Sequence, residues 1–324
     1  MNPLIRFALK IVSLPVFDMT RDYAIVRRFQ EWAGKREEVP PDFILLDEEI
    51  VSRDGSHTIP VRLFANRDGI KKGVMLFIHG GGYALGNVDT YTPVCLQLAK
   101  RTRYTVLAVD YRLAPEYPFP EGLNDCLEVL RFVVENDTDE YRPLTVIGDS
   151  AGGNLSTVAC RRLKEMGLPL PDQQILIYPA VGWNYTENSP YASMHEKAED
   201  FGLTRKKLVE YYDLYVPDGT DAGHPDIAPI MAEDLSGLTN IPPHNLREVA
   251  AAINWCLDNP DADDKTALEA VMGHIKGPDF PTAAQIVGDK GINDAYTTGR
   301  GSIRMRGVTS IEQEGTSQSI VITE

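Results

Sequence analysis

Cysteine is scarce. The four present, Cys95, Cys126, Cys160 and Cys256, are scattered and form no C-x-x-C pair, which excludes a disulfide framework, a zinc ribbon and a redox motif. Thiols so placed are expected to be reduced, which points to a cytoplasmic location. Long apolar runs are also missing. The opening stretch "MNPLIRFALKIVSLPVF" is interrupted by Arg6 and Lys10. It has neither the eighteen-residue apolar span of a membrane helix nor a small-x-small cleavage site, so it reads as an amphipathic helix and no membrane contact is expected. Basic charge is short as well: 32 Lys and Arg stand against 47 Asp and Glu, a net charge of −15. Such a balance excludes a nonspecific grip on nucleic acid or on an anionic membrane surface. No internal repeat or low-complexity tract occurs.

What is present is an α/β pattern. Residues 1–40 read as helices ending at Pro40-Pro41. "FILLDEEIVS" and "IPVRLFAN" follow as two strands around a turn at Asp54-Gly55. Four apolar runs, "GVMLFIHGGG", "YTVLAVDYRLAP", "LTVIGDS" and "QQILIYPA", then alternate with helical patterns such as "YTPVCLQLAKRT" and "GLNDCLEVLRFVVEN". Continuous apolar strands separated by helices predict a parallel sheet covered on both faces. The alternation stops near Leu238. Beyond it come Pro242-Pro243, one amphipathic helix ("NLREVAAAINWCLDNP"), a Gly/Pro loop, and closing strands at "SIRMRG" and "SIVITE".

Within this frame "VIGDSAGGNL", residues 146–155, has the form G-x-S-x-G with Gly148, Ser150 and Gly152. The strand "LTVIG" precedes it and a helical pattern follows. In that context the motif places a serine on a sharp strand-to-helix turn, its hydroxyl clear of the sheet and facing the positive end of the helix. A glycine-rich turn with an incidental serine is the alternative. "HGGGY", residues 79–83, also follows a buried strand. Consecutive glycines there expose backbone N–H groups able to hold an oxyanion. His79 lies far upstream of the serine and reads as a structural hydrogen-bonder. No pair of histidines has metal-ligand spacing, so no metal site is expected.

"HGGGY", "DYRLAPEYPFP" (110–120) and "GDSAGG", in that order, resemble the hormone-sensitive lipase-like branch of the α/β-hydrolase family. The resemblance covers residues 1 to about 238. It implies an α/β-hydrolase sheet with an N-terminal helical cap at about 1–40, action on small acyl esters, and no cofactor. By position it makes Ser150 the nucleophile, and the amides of Gly81, Gly82 and Ala151 the oxyanion hole. His79, Gly80, Tyr83, Gly148, Asp149 and Gly152 become motif residues around them, with Tyr83 lining the pocket. Asp110, Arg112 and Glu116 read as a structural charge network, since buried charges must be paired.

The family's later motifs, an acid in E-x-D-P-L-x-D and a histidine before Gly-Phe, do not occur here. The triad acid and base are therefore unassigned. Of the histidines after the serine, His195 and His224 lie in the covering segment and neither follows a strand at the catalytic edge. His244 and His274 read as turn or cap residues. Instead, "TNIPPHNLREV", "IKGPDFPTA", "AYTTGRGSIRMRG" and "IVITE" resemble an internal fragment of the DNA gyrase A protein, over about 240–324. That fragment lacks its family's catalytic tyrosine. Its basic cluster, Arg300, Arg304 and Arg306, is too small on an acidic chain for DNA to be expected as a partner.

The expected architecture is thus a truncated α/β-hydrolase sheet over 1–238 joined to a small α+β gyrase-like fragment over 239–324, a chimera. The expected function is a carboxylic ester hydrolase impaired by an incomplete triad. An inactive acyl-binding module and a DNA-associated topoisomerase fragment are the alternatives. Nothing in the sequence indicates an oligomer. A sheet without its last strands is expected to expose an aggregation-prone edge unless the second segment covers it.

Overall fold

The computed structural model describes residues 18–33, 39–69, 72–136, 143–182, 184–189, 194–195, 203–238, 310–314 and 317–322. A cap helix, α1 (Met19–Ala33), precedes a hairpin of β1 (Phe43–Val51) and β2 (Thr58–Asn66). The chain then runs β3 (Val74–Ile78), α2 (Val88–Thr102), β4 (Thr105–Val109), α3 (Glu121–Glu135), β5 (Leu144–Asp149), α4 (Ala151–Glu165), β6 (Gln173–Ile177) and α5 (Arg205–Tyr215). Two late strands, β7 (Ser310–Glu314) and β8 (Ser317–Ile322), close it.

All eight strands form one sheet in the order β1-β2-β4-β3-β5-β6-β8-β7. The five from β4 to β8 in that order run parallel, whereas β1, β2 and β7 pair antiparallel. The sheet is therefore mixed: the four strands read from the apolar runs, β3 to β6, are mutually parallel as expected, and the early hairpin and β7 add the antiparallel pairings. Among β1 to β6, only β3, β5 and β6 are buried at every residue, as central strands under helices on both faces must be. Alternation along β3 splits the core. Val74, Leu76 and Ile78 join Leu127, Leu130, Leu155 and Val158 of α3 and α4 on one face. Met75 and Phe77 join Cys95, Leu96 and Ala99 of α2 on the other. Cys95, Cys126 and Cys160 are buried and unpaired. No helix among the described residues is long and apolar enough to cross a membrane.

Helix starts follow local chemistry. Asn87 caps α2 in a reciprocal box with Thr90, and Thr204 accepts from Lys207 N at the start of α5, each satisfying an amide that no helical turn can reach. The cap helix is tied down from both directions. Glu210 of α5 accepts from the Met19 backbone N–H at 2.9 Å and pairs with Lys207 at 2.8 Å. Arg27 reaches the Ala84 carbonyl at 2.6 Å and the Glu116 carboxylate at 2.9 Å.

Several expectations change here. The charge network exists with different partners. Arg112 pairs with buried Asp125 and with Glu121, Glu116 pairs with Arg27, and Asp110 accepts the N–H of Val88 instead of binding Arg112. The penultimate strand is "SIEQE", since polar alternation suffices for a strand paired on one edge; "SIRMRG" lies outside the described residues, as do the segment 245–260, His244, His274, Cys256 and the three arginines. The edge beyond β6 is not bare. Ile175, Leu176 and Ile177 pair with Ile320, Val321 and Ile322 of β8. A gyrase-like strand with a run of β-branched residues supplies the parallel neighbour that β6 needs.

Candidate active site

The site is built where β5 ends and α4 begins. Ser150 occupies this turn with φ 51°, a left-handed conformation that costs a side-chain-bearing residue on the order of 1–3 kcal/mol. The neighbouring contacts hold it there. Ser150 N donates to the Ile177 carbonyl at 2.8 Å, and the Ser150 carbonyl accepts from Ala180 N and Asn154 N, each at 3.1 Å. The glycines are needed for space. A Cβ on Gly148 would lie 2.3 Å from the Gly152 carbonyl oxygen, and one on Gly152 would lie 2.0 Å from the Ile78 carbonyl oxygen. The helix start therefore packs directly on the ends of β3 and β5.

The loop after β3 faces this turn. Gly81 N, Gly82 N and Ala151 N make no hydrogen bond to any described residue, and all three residues line one pocket with Ser150. Three free amides around one hydroxyl, at the start of a fifteen-residue helix, can stabilise negative charge developing on a bound carbonyl oxygen. Asp149 fixes the loop. Its buried carboxylate accepts from Gly80 N at 2.8 Å and from the Tyr91 hydroxyl at 3.0 Å. Burial raises its pKa, and those hydrogen bonds oppose the rise.

His79 behaves as a structural group. Its ring is buried, Nδ1 lies 2.8 Å from the Gly80 carbonyl oxygen, and Tyr111 stacks on it at 4.3 Å between centroids while donating its hydroxyl to the His79 carbonyl at 2.8 Å. Desolvation lowers the imidazole pKa to about 4. Tyr83 reaches the pocket wall, as expected, and its ring stacks on Tyr215 at 3.7 Å.

The pocket holds about 160 Å³. Opposite Ser150 it is closed by Tyr185, Leu203, Leu208, Tyr211 and Tyr212. These were not singled out in the sequence, although Thr204 followed by "RKKLVEYYDLY" carries a helix start signal that would have found α5. Tyr211 packs so closely on Gly82 that a Cβ there would lie 2.4 Å from its ring.

The described histidines do not complete the serine. His57 bonds Ser56 and Asp125, and His79 bonds Gly80. His195 Nε2 lies 2.8 Å from the Ser189 carbonyl oxygen, and His224 Nδ1 accepts from Asp226 N. Asp226 is engaged by Arg161. No group of three or more His, Cys, Asp or Glu among the described residues could hold a metal.

Comparison with known proteins matches the chain to two families. Residues 75–244 match the family described as alpha/beta hydrolase fold, and residues 236–324 match the A subunit of DNA gyrase/topoisomerase IV. The carboxylesterase NlhH of Mycobacterium tuberculosis (strain ATCC 25618 / H37Rv) is 33% identical over 213 residues, covering 63% of this chain and 65% of NlhH. The DNA gyrase A protein of the same strain is 63% identical over 153 residues, covering 45% of this chain and 18% of that protein. A solved esterase of Pyrobaculum calidifontis superimposes with a TM-score of 0.62 at 33% identity, over 74% of this chain and 77% of that one. The chain thus spans less than two thirds of NlhH and under a fifth of the gyrase protein.

Proposed function

Because the chain belongs to the alpha/beta hydrolase fold family, we propose that Ser150 is the nucleophile of a carboxylic ester hydrolase whose turnover is impaired for want of a base. In this reading the Ser150 oxygen attacks the acyl carbon of a small ester. The carbonyl oxygen moves into the N–H groups of Gly81, Gly82 and Ala151, and the alcohol departs with the serine proton. Water then releases the acid and restores the hydroxyl. In this reading residues 1–238 carry the chemistry, and no DNA role is assigned to residues 239–324.

The observation that carries the reading is an assembled elbow and oxyanion loop beside four described histidines that all bond elsewhere. A serine hydroxyl without a base is a weak nucleophile, and loss of the base costs on the order of a millionfold in serine proteases. A second reading, an acyl-binding module, is favoured by the apolar wall of Leu203, Leu208 and the tyrosines, which binds an acyl chain whether or not Ser150 reacts.

The test is hydrolysis of p-nitrophenyl acetate and butyrate by the full chain, by Ser150→Ala, and by each with added imidazole. Background turnover is expected for both without imidazole, and a saturable imidazole-dependent gain only where Ser150 is present. Vigorous imidazole-independent turnover lost in Ser150→Ala would overturn the impairment. No gain with imidazole, together with no labelling of Ser150 by a fluorophosphonate, would overturn the nucleophile assignment.

A further inference from the structure

A second cavity, of about 220 Å³, lies outside the pocket just described. It opens between the cap helix and the start of α2, with Gln30 and Arg27 on one wall and Asp110 and Tyr111 on the other. Its floor is Gly86, which sits at φ 85°. A Cβ there would lie 2.9 Å from both the Gly80 carbonyl oxygen and His79 Nδ1. The cavity therefore backs directly on the oxyanion loop.

Charges of both signs line it, Arg27 and Asp110. Asp110 is half-buried; one carboxylate oxygen accepts Val88 N at 3.1 Å, and the other has no hydrogen-bond partner among the described residues. The cationic groups nearby are already committed. Arg27 is held by Glu116 and by the carbonyls of Ala84 and Ala114, and Arg62 by Asp47 and Asp89. Burial raises the Asp110 pKa; the hydrogen bond from Val88 N and the Arg62 charge oppose the rise, and Asp89 and Asp47 add to it. Arg62 acts on Asp110 only at a distance while bonded to Asp47 and Asp89, so among the described residues the second Asp110 oxygen has no direct charged partner of the kind a half-buried carboxylate is normally given. The room is sufficient, since a cavity of about 150 Å³ accepts benzene.

We propose that this cavity binds a small organic cation, a primary ammonium or a guanidinium on a short carbon chain, through the free oxygen of Asp110. The ammonium or guanidinium donates to that oxygen, and the carbon chain lies against the ring of Tyr111. Because Tyr111 stacks on His79, occupancy reaches the loop that carries Gly81 and Gly82.

The test uses the full chain with n-butylammonium and methylguanidinium chlorides, and with n-butanol and N-methylurea as neutral analogues. Binding is read by saturation-transfer NMR and by the His79 imidazole resonance. Saturable binding of the cations alone is expected, with the His79 signal moving on the same curve. Asp110→Asn keeps an acceptor for Val88 N and should weaken binding about tenfold or more, the loss expected for a charged hydrogen bond. Gln30→Trp fills the cavity while leaving the Asp110 carboxylate in the chain and should abolish binding; circular dichroism checks that both variants fold. Equal binding of the neutral analogues, unchanged affinity in Asp110→Asn, no saturable binding, or an unmoved His79 resonance would each overturn the proposal.

Discussion

Acid should weaken this protein through His79 in a defined window. In the folded chain the imidazole is buried and its pKa is lowered to about 4 from 6.5. The fold therefore prefers the neutral ring, and between those values the unfolded chain binds more protons. Stability from this group is complete above pH 6.5 and falls as pH drops toward 4, with a full span of about 3 kcal/mol. At pH 4.5 most of that span should already be lost. Asp149 and Asp110 have raised pKa values and act with the opposite sign: they favour the fold most at low pH and lose that contribution as pH rises. The measurement must therefore be a difference. Urea unfolding of the wild type and of His79→Asn, whose amide can still donate to the Gly80 carbonyl, is compared at pH 7.5, 6.0 and 4.5. The wild type should lose about 2–3 kcal/mol more than the variant between the extremes. Equal losses, or an imidazole carbon resonance titrating near 6.5 in the native protein, would refute the reasoning.

Two further outcomes follow from close packing and from the sheet edge. Gly152→Ala drives a Cβ to 2.0 Å from the Ile78 carbonyl oxygen, a backbone atom that cannot step aside. We expect a loss of about 3 kcal/mol or failure to fold, read by the urea midpoint; an unchanged midpoint would contradict the packing described at the elbow. Ile320→Pro removes an amide from a strand paired on both sides, at a cost of about 3 kcal/mol. Light scattering should then reveal association through the uncovered edge of β6, and a monomer of unchanged melting temperature would mean that β8 does not protect it.

Much of the site was legible because it depends on local backbone chemistry. Gly148, Ser150 and Gly152 between a strand and a helix, and Gly80 to Gly82 after β3, declare their turns in a few residues. The apolar runs gave the central strands for the same reason. What sequence could not supply is pairing at a distance. The antiparallel β2–β4 contact leaves no local trace, so where the early hairpin joins the parallel strands could not be read. The partners of Arg112 and Glu116 lie on α3 and α1, and a motif read in one line pairs neighbours instead. The pocket's far wall comes from α5, roughly sixty residues after Ser150, where polar helical text conceals its buried face.

The β6–β8 pairing also sets a timetable. Between Ile177 and Ser317 lie 139 residues, so on a ribosome adding about 5–20 residues per second the neighbour of β6 is made some 7–28 s after β6 itself. Throughout that interval β6, buried along its whole length in the finished sheet, presents open backbone to any passing strand. The yield of native chain should therefore depend on translation speed and on chaperone supply during synthesis, even where the finished sheet is closed.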